Sequence, residues 1–138
     1  MQKIDIIGKE RSGGVYKMTN CIFCKIIKKE IPCYKIYEDK DFLGFLDIFP
    51  KTEGHCLVIP KRHIEWVWDH PQLGQYFEVV GKIARHLKKT GGEEVRALVY
   101  GFDIAHAHVH LMPGKTDNLT GQQISGAEME RIQQKFSL

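Results

Sequence analysis

Between Ala105 and Met112 the chain alternates histidine with small or aliphatic residues: Ala105-His106-Ala107-His108-Val109-His110-Leu111-Met112. In an extended strand successive side chains point to opposite faces, and same-face neighbours lie roughly 6.6–6.8 Å apart. The alternation predicts His106, His108 and His110 on one face, with Ala107, Val109 and Leu111 turned to a core. Titratable rings gathered on one face make a poor wall and a good site.

The 138 residues suffice for one domain with a real core and are too few for two comfortable ones. At 43% hydrophobic and 27% charged, the composition is that of an ordinary globular protein. A formal net charge of +3 argues for no nucleic-acid partner and suits small anionic ligands such as phosphates. No apolar run approaches the ~18–20 residues of a bilayer span. The stretch from Met1 to Asn20 lacks a continuous apolar segment, so neither a membrane span nor a signal peptide is expected. The default expectation is a cytoplasmic protein. There the four cysteines, Cys21, Cys24, Cys33 and Cys56, are expected reduced, and the close pair suggests a metal site more than a disulfide.

Residues 1–17 are polar, carry Ser12-Gly13-Gly14 and precede a second methionine, Met18; they read as a loosely attached, flexible extension, with the domain proper over 18–138. Cys21 to Glu30 has the spacing of a short helix, ended by Pro32. Strands are predicted over Tyr34–Glu38, Phe42–Ile48, His55–Ile59, Val95–Tyr100 and Ile104–Met112. A long helix is predicted over Gln72–Lys89, with Leu73, Phe77, Val80, Ile83, Ala84 and Leu87 on its apolar face, stopped by Gly91-Gly92. A short helix is predicted over Ala127–Phe136. Strands joined by tight turns favour antiparallel pairing. The expected fold class is α+β, a five-stranded antiparallel sheet covered by one long helix and one or two short ones.

The histidine strand admits an incidental surface reading, a metal reading and a reading as nucleophile or general acid/base on a phosphate ester. Cys21-x-x-Cys24 is compatible with redox chemistry or with zinc. The redox reading wants a thioredoxin-like βαβ setting, which the pattern does not offer. Zinc wants two more ligands near in space.

The segment from Cys21 to about Pro113 resembles the histidine triad (HIT) family of nucleotide-binding proteins. The family motif alternates histidine with apolar residues, as His106-Ala107-His108-Val109-His110-Leu111-Met112 does here. The upstream matches are Cys21-Ile22-Phe23-Cys24-Lys25-Ile26-Ile27, Glu30-Ile31-Pro32, Tyr37-Glu38-Asp39, Phe45-Leu46-Asp47-Ile48 and Gly54-His55-Cys56-Leu57-Val58-Ile59-Pro60-Lys61-Arg62-His63-Ile64. In this order and spacing the match is specific.

The resemblance implies an HIT-like fold and a hydrolase or transferase acting at the α-phosphorus of nucleoside phosphoramidates, dinucleoside polyphosphates or nucleotidyl sugars. It makes His108 the nucleophile that forms a nucleotidyl-histidine, which water then cleaves. Neutral imidazole carries a free lone pair, and dividing one displacement into two is the gain of covalent catalysis. His110 would contact phosphate oxygens or steady the leaving group, and His55 would orient the site. Asp47 would take the ribose hydroxyls, since a carboxylate accepts from a vicinal diol. Ile22, Phe23, Ile26, Phe45 and Ile48 would hold the base; plain core packing explains the same residues, Ile26 above all. Zinc-bearing members imply a closed structural site from Cys21, Cys24, His63 and His106. A homodimer is the implied assembly. Cys33 and Cys56 are expected as inert buried thiols, His70 and His86 as solvent-facing.

The chain departs from the family just before the triad, where a Gly-Gln-Ser or Gly-Gln-Thr segment usually supplies donors to the α-phosphate. Here Gly101-Phe102-Asp103 stands in that nucleotide-contacting segment. Phenylalanine offers no donor, and an ionised Asp103 repels phosphate. Phosphate binding is then expected to lean on His108, His110, backbone N–H groups or a cation such as Lys115. Two alternatives follow: a nucleotide-binding regulatory module with little catalysis, and a zinc-binding structural protein in which the triad serves metal.

Overall fold

The structure, a computed structural model, describes residues 9–12, 15–18 and 20–138. Strands β1 (Lys9–Ser12) and β2 (Val15–Met18) pair antiparallel with each other in a two-stranded sheet. The remainder of the 1–17 extension lies outside the described residues.

Helix α1 spans Ile22–Ile27, followed by β3 (Lys35–Glu38), β4 (Phe42–Leu46) and β5 (Cys56–Pro60). A 3-10 turn at Val67–Asp69 leads to the long helix α2, Leu73–Gly91. Strands β6 (Val95–Leu98) and β7 (Val109–Pro113) and helix α3 (Gly126–Phe136) complete the chain. The order in the five-stranded sheet is β3-β4-β5-β7-β6, every neighbouring pair antiparallel, as the sequence predicts. Among the described residues no helix is long and apolar enough to cross a membrane.

The central strands are buried on both faces, so they read as continuous apolar runs. On one face Phe42, Leu46, Cys56, Val58, Val109 and Leu111 pack against Val80, Ile83 and Leu87 of α2 and Met129, Ile132 and Phe136 of α3. On the other, Leu43, Phe45, Leu57 and Ile59 pack against Cys21, Phe23 and Ile26 at α1. Parity along β5 and β7 carries His55 and His110 to this second face, beside Leu57, the cross-strand partner of His110.

Several boundaries differ from the sequence reading, each for a local reason. Helix α1 ends at Ile27, well before Pro32, because Lys29 adopts φ 65°. The Lys29 N–H then bonds the Ile26 carbonyl and the Glu30 N–H the Lys25 carbonyl, a Schellman closure without the usual glycine. The predicted strand from Ile104 joins the ladder only at Val109. Its partner β5 ends at Pro60, which has no N–H, and the Pro60 carbonyl accepts from the His106 ring at 2.8 Å in place of a backbone donor. Ala107 N–H goes instead to the Ile64 carbonyl. His106 and His108 therefore precede the ladder, and only His110 sits within it, while Ala107, Val109 and Leu111 do face the core.

On α2 the fully buried aromatic is Tyr76, not Phe77, which is 37% exposed. The Tyr76 hydroxyl donates to the Val58 carbonyl at 2.7 Å, which is how a phenol is accommodated at 0% exposure. Gly92, at φ 81°, caps the helix in the left-handed region. Neither outlying histidine faces solvent freely. His70 is buried between Phe42 and Tyr76, and half-buried His86 contacts the Phe136 carbonyl. Cys56 is fully buried, its thiol pushed above the ordinary range by burial. Cys33 is only partly buried.

Candidate active site and metal centre

The α1 face of the sheet holds a cavity of about 430 Å³. Ile22, Phe23, Ile26, Phe45, Asp47, Ile48, His55, Asp103, His108 and His110 all line it. Phe23 and Phe45 stand edge-on at the cavity wall, and the Phe23 ring also meets the rings of His106 and His108. Ile22 and Ile48 are exposed at the rim, whereas Phe23, Ile26 and Phe45 are buried and belong to the core as well. Gly101 does not line the cavity. It takes φ +81° against the Trp66 ring, where a Cβ would come within 2.9 Å of an indole carbon. Its place is to turn the loop that carries Asp103.

The triad rings differ from one another in what holds them. His106 is fully buried, and its Nε2–H donates to the Pro60 carbonyl, leaving Nδ1 as the lone-pair nitrogen. For His108 the assignment is reversed: Nδ1–H donates to the His106 carbonyl at 2.8 Å, so Nε2 keeps the lone pair. That Nε2 is buried and makes no hydrogen bond. Asp103 Oδ1 stands 3.2 Å from it, an ion-pair separation without hydrogen-bond alignment.

His110 is set by a relay. The backbone N–H of Lys51 donates to His55 Nδ1 at 3.1 Å, which places the His55 hydrogen on Nε2. His55 Nε2 lies 3.0 Å from His110 Nδ1 and donates to it, so the His110 hydrogen falls on Nε2. Both rings are neutral at neutral pH. Burial, followed by the facing His108 and His55, lowers His110 to about 4. Burial also lowers His55, against the pull of Asp47. Asp47 Oδ2, at 3.5 Å from His55 and 4.0 Å from His110, is therefore a polar neighbour of two neutral rings and not their salt-bridge partner. Its other oxygen accepts from the Phe49 N–H and holds the loop after β4.

A second cluster lies at the start of α1. Cys21 Sγ is 3.4 Å from His106 Nδ1, and Cys24 Sγ is 3.5 Å from both His63 Nδ1 and His106 Nδ1. The two imidazole nitrogens are 3.0 Å apart. A zinc tetrahedron with ordinary bond lengths has S···N edges of about 3.6 Å and an N···N edge of about 3.3 Å. The four groups fit such an ion, and the far nitrogen of His106 donates to the Pro60 carbonyl, as that of a ligating histidine normally does. The thiols already share charge unequally: the adjacent Cys24 thiol, then His106, draws Cys21 far below the ordinary thiol range, and the same contact raises Cys24.

Two cationic side chains bear on the cavity or the groove beside it in ways the sequence reading did not foresee. Lys51 lines the cavity, and Arg96 joins Lys51, His55, His110 and Tyr100 in an adjoining groove, where it pairs with Asp117 at 3.0 Å. Lys115, the cation expected from sequence, is exposed and lines neither. Lys51 follows Asp47-Ile48-Phe49-Pro50 closely enough that its proximity could have been read from the turn; Arg96 reaches the site only through β6–β7 pairing.

The HIT domain model matches residues 28–117. The chain is 43% identical over 113 residues to the Protein hit of Bacillus subtilis, covering 71% of this chain and 74% of that one. It is 38% identical over 105 residues to the adenosine 5'-monophosphoramidase HNT1 of Saccharomyces cerevisiae, covering 73% and 66%. A crystal structure of a zinc-bound histidine triad family protein from Mycobacterium smegmatis superposes with a TM-score of 0.71 at 32% identity, covering 84% of this chain and 89% of that one. The alternating histidines, the sheet that presents them and these likenesses agree: the chain belongs to the HIT family, whose relatives include nucleotide hydrolases.

Proposed function

We propose that the chain hydrolyses, or transfers from, the α-phosphorus of a nucleoside phosphoramidate or dinucleoside polyphosphate, with His108 as nucleophile. The observation that carries this is the His108 Nδ1–H bond to the His106 carbonyl, which leaves Nε2 unpartnered at the cavity wall. The Nε2 lone pair forms an N–P bond as the bond from phosphorus to the leaving group breaks. The departing atom takes a proton from water, and a second water then cleaves the N–P bond, releasing the nucleotide and freeing Nε2, while the neutral His110 Nε2–H stays in place as a hydrogen-bond donor to a phosphate oxygen. The Ile22, Phe23, Phe45 and Ile48 walls suit a base, Asp47 a ribose diol, and Lys51 the phosphate charge. Cys21, Cys24, His63 and His106 would hold zinc with four protein ligands and no position for substrate, so the ion would supply structure only, tying α1 to the segment that carries His108. In this reading residues 18–138 are the HIT domain, residues 1–17 an extension, and the working form a cytoplasmic homodimer.

Incubation with adenosine 5'-phosphoramidate followed by intact-mass analysis is expected to show an adenylyl adduct mapping to His108, with turnover abolished in His108→Ala. The short Asp103–His108 approach supports a second reading, a nucleotide-binding module with a screened nucleophile. Tight AMP binding without adduct or turnover would establish that reading and overturn the first.

A further inference from the structure

We infer that Asp103 and His108 form a second, inhibitory site for a zinc-class divalent cation, distinct from the thiol cluster. His108 Nε2 carries its lone pair into the cavity, is about 1% exposed as a side chain and has no hydrogen-bond partner. Asp103 Oδ1 stands 3.2 Å away, off the hydrogen-bonding direction, and accepts from the Ile104 N–H at 3.0 Å. A nitrogen and a carboxylate oxygen set this way both present donors to a cation placed between them.

The separation is of the right size. With metal–ligand bonds of about 2.1 Å, a bite of 3.2 Å subtends about 100° at the ion, between the octahedral and tetrahedral angles. A nitrogen–oxygen donor pair suits zinc, manganese or cobalt better than magnesium or calcium, which prefer oxygen alone. His110 also lies within reach of the cluster, but the Lys51–His55 relay occupies its Nδ1 and puts a hydrogen on its Nε2. The protein then contributes two ligands, and water or a phosphate oxygen fills the rest. The same relay disfavours a metal on Asp47, His55 and His110, because His55 Nε2 holds its hydrogen while the Lys51 amide points at Nδ1.

A cation held here uses the lone pair that attacks phosphorus, so it blocks the first step and competes with nucleotide. This consequence for turnover rests on the function proposed above; the metal site does not. Asp103 is 53% exposed at its side chain, so its replacement leaves the fold intact.

The test is a calorimetric titration of Zn²⁺ into protein whose thiol site is already filled. Wild type is expected to take up a further equivalent, and Asp103→Asn and Asp103→Ala to bind it at least tenfold more weakly. In parallel, adenosine 5'-phosphoramidate turnover is followed against added Zn²⁺, each protein being compared with its own rate before addition. Half-inhibition is expected to move at least tenfold upward in both variants, and a chelator to restore the rate. No uptake beyond the thiol site, or equal uptake by wild type and both variants, overturns the inference. Absence of turnover overturns the proposed function alone, because the titration still decides the site.

Discussion

Replacing His110 tests whether this ring is neutral because it is buried beside two other imidazoles. An ordinary histidine titrates near 6.5, and here the folded value is about 4. The folded-state value is depressed, so below about 6.5 the unfolded chain binds a proton that the folded one refuses. The stability involved is fully present above 6.5 and is lost as pH falls toward 4. Integrating proton uptake from about pH 7.5 to about pH 5 gives a loss of about 2 kcal/mol for this one ring. The side chain is only 15% exposed, so solvent screening does not erase the effect. Other groups titrate over the same range, and those not in contact with His110 do so in both proteins and cancel in the comparison. Urea unfolding of wild type and His110→Asn at the two pH values, with equal excess zinc throughout, isolates the difference. At a urea slope of roughly 1–3 kcal/mol/M, wild type is expected to lose about 1 M more of its midpoint than the variant on acidification. A double difference below about 0.5 kcal/mol, or of opposite sign, would refute the burial of a neutral His110.

Cys24→Ser is expected to abolish the zinc that survives dialysis and, where wild type would be metal-saturated about a thousandfold over Kd, to remove about 4 kcal/mol of stabilisation; elemental analysis and thermal melting check this, and retained zinc would sink the four-ligand assignment. Tyr76→Phe deletes the bond to the Val58 carbonyl and is expected to cost about 1 kcal/mol, a fall of roughly 4 °C in Tm, with turnover preserved. An unchanged Tm would show that the bond adds nothing net. Gly101→Ala forces a side chain into φ +81° against Trp66 and is expected to cost about 1–2 kcal/mol and to displace the Asp103 loop. An unshifted urea midpoint would count against a rigid turn there.

What could be read in the sequence was whatever period and parity encode. Ala107, Val109 and Leu111 do face α2 and α3, and the apolar spacing on α2 does bury Val80, Ile83 and Leu87. The site residues converged because strands carry parity across a sheet: Leu57 opposite His110 fixes which face both adopt. What escaped depends on contacts between distant segments or on backbone conformations with no residue signature. Lys29 enters the left-handed region without being glycine, so the end of α1 was invisible. The late start of β7 follows from His106 taking the Pro60 carbonyl, a contact across 46 residues. Tyr76 outranks Phe77 because a strand carbonyl happens to face its hydroxyl. Arg96 enters the groove beside the site through strand pairing alone.

The hydrogen bond from the Lys51 amide to His55 has an evolutionary corollary. The feature that decides which edge of His110 is acidic is a main-chain N–H, common to nineteen of the twenty genetically encoded residues. Drift at position 51 can change the local charge yet leave the proton map of the His55–His110 pair untouched, and only proline would erase it. Part of this site's chemistry is thus carried by the path of the loop after β4 and not by the side chain at position 51.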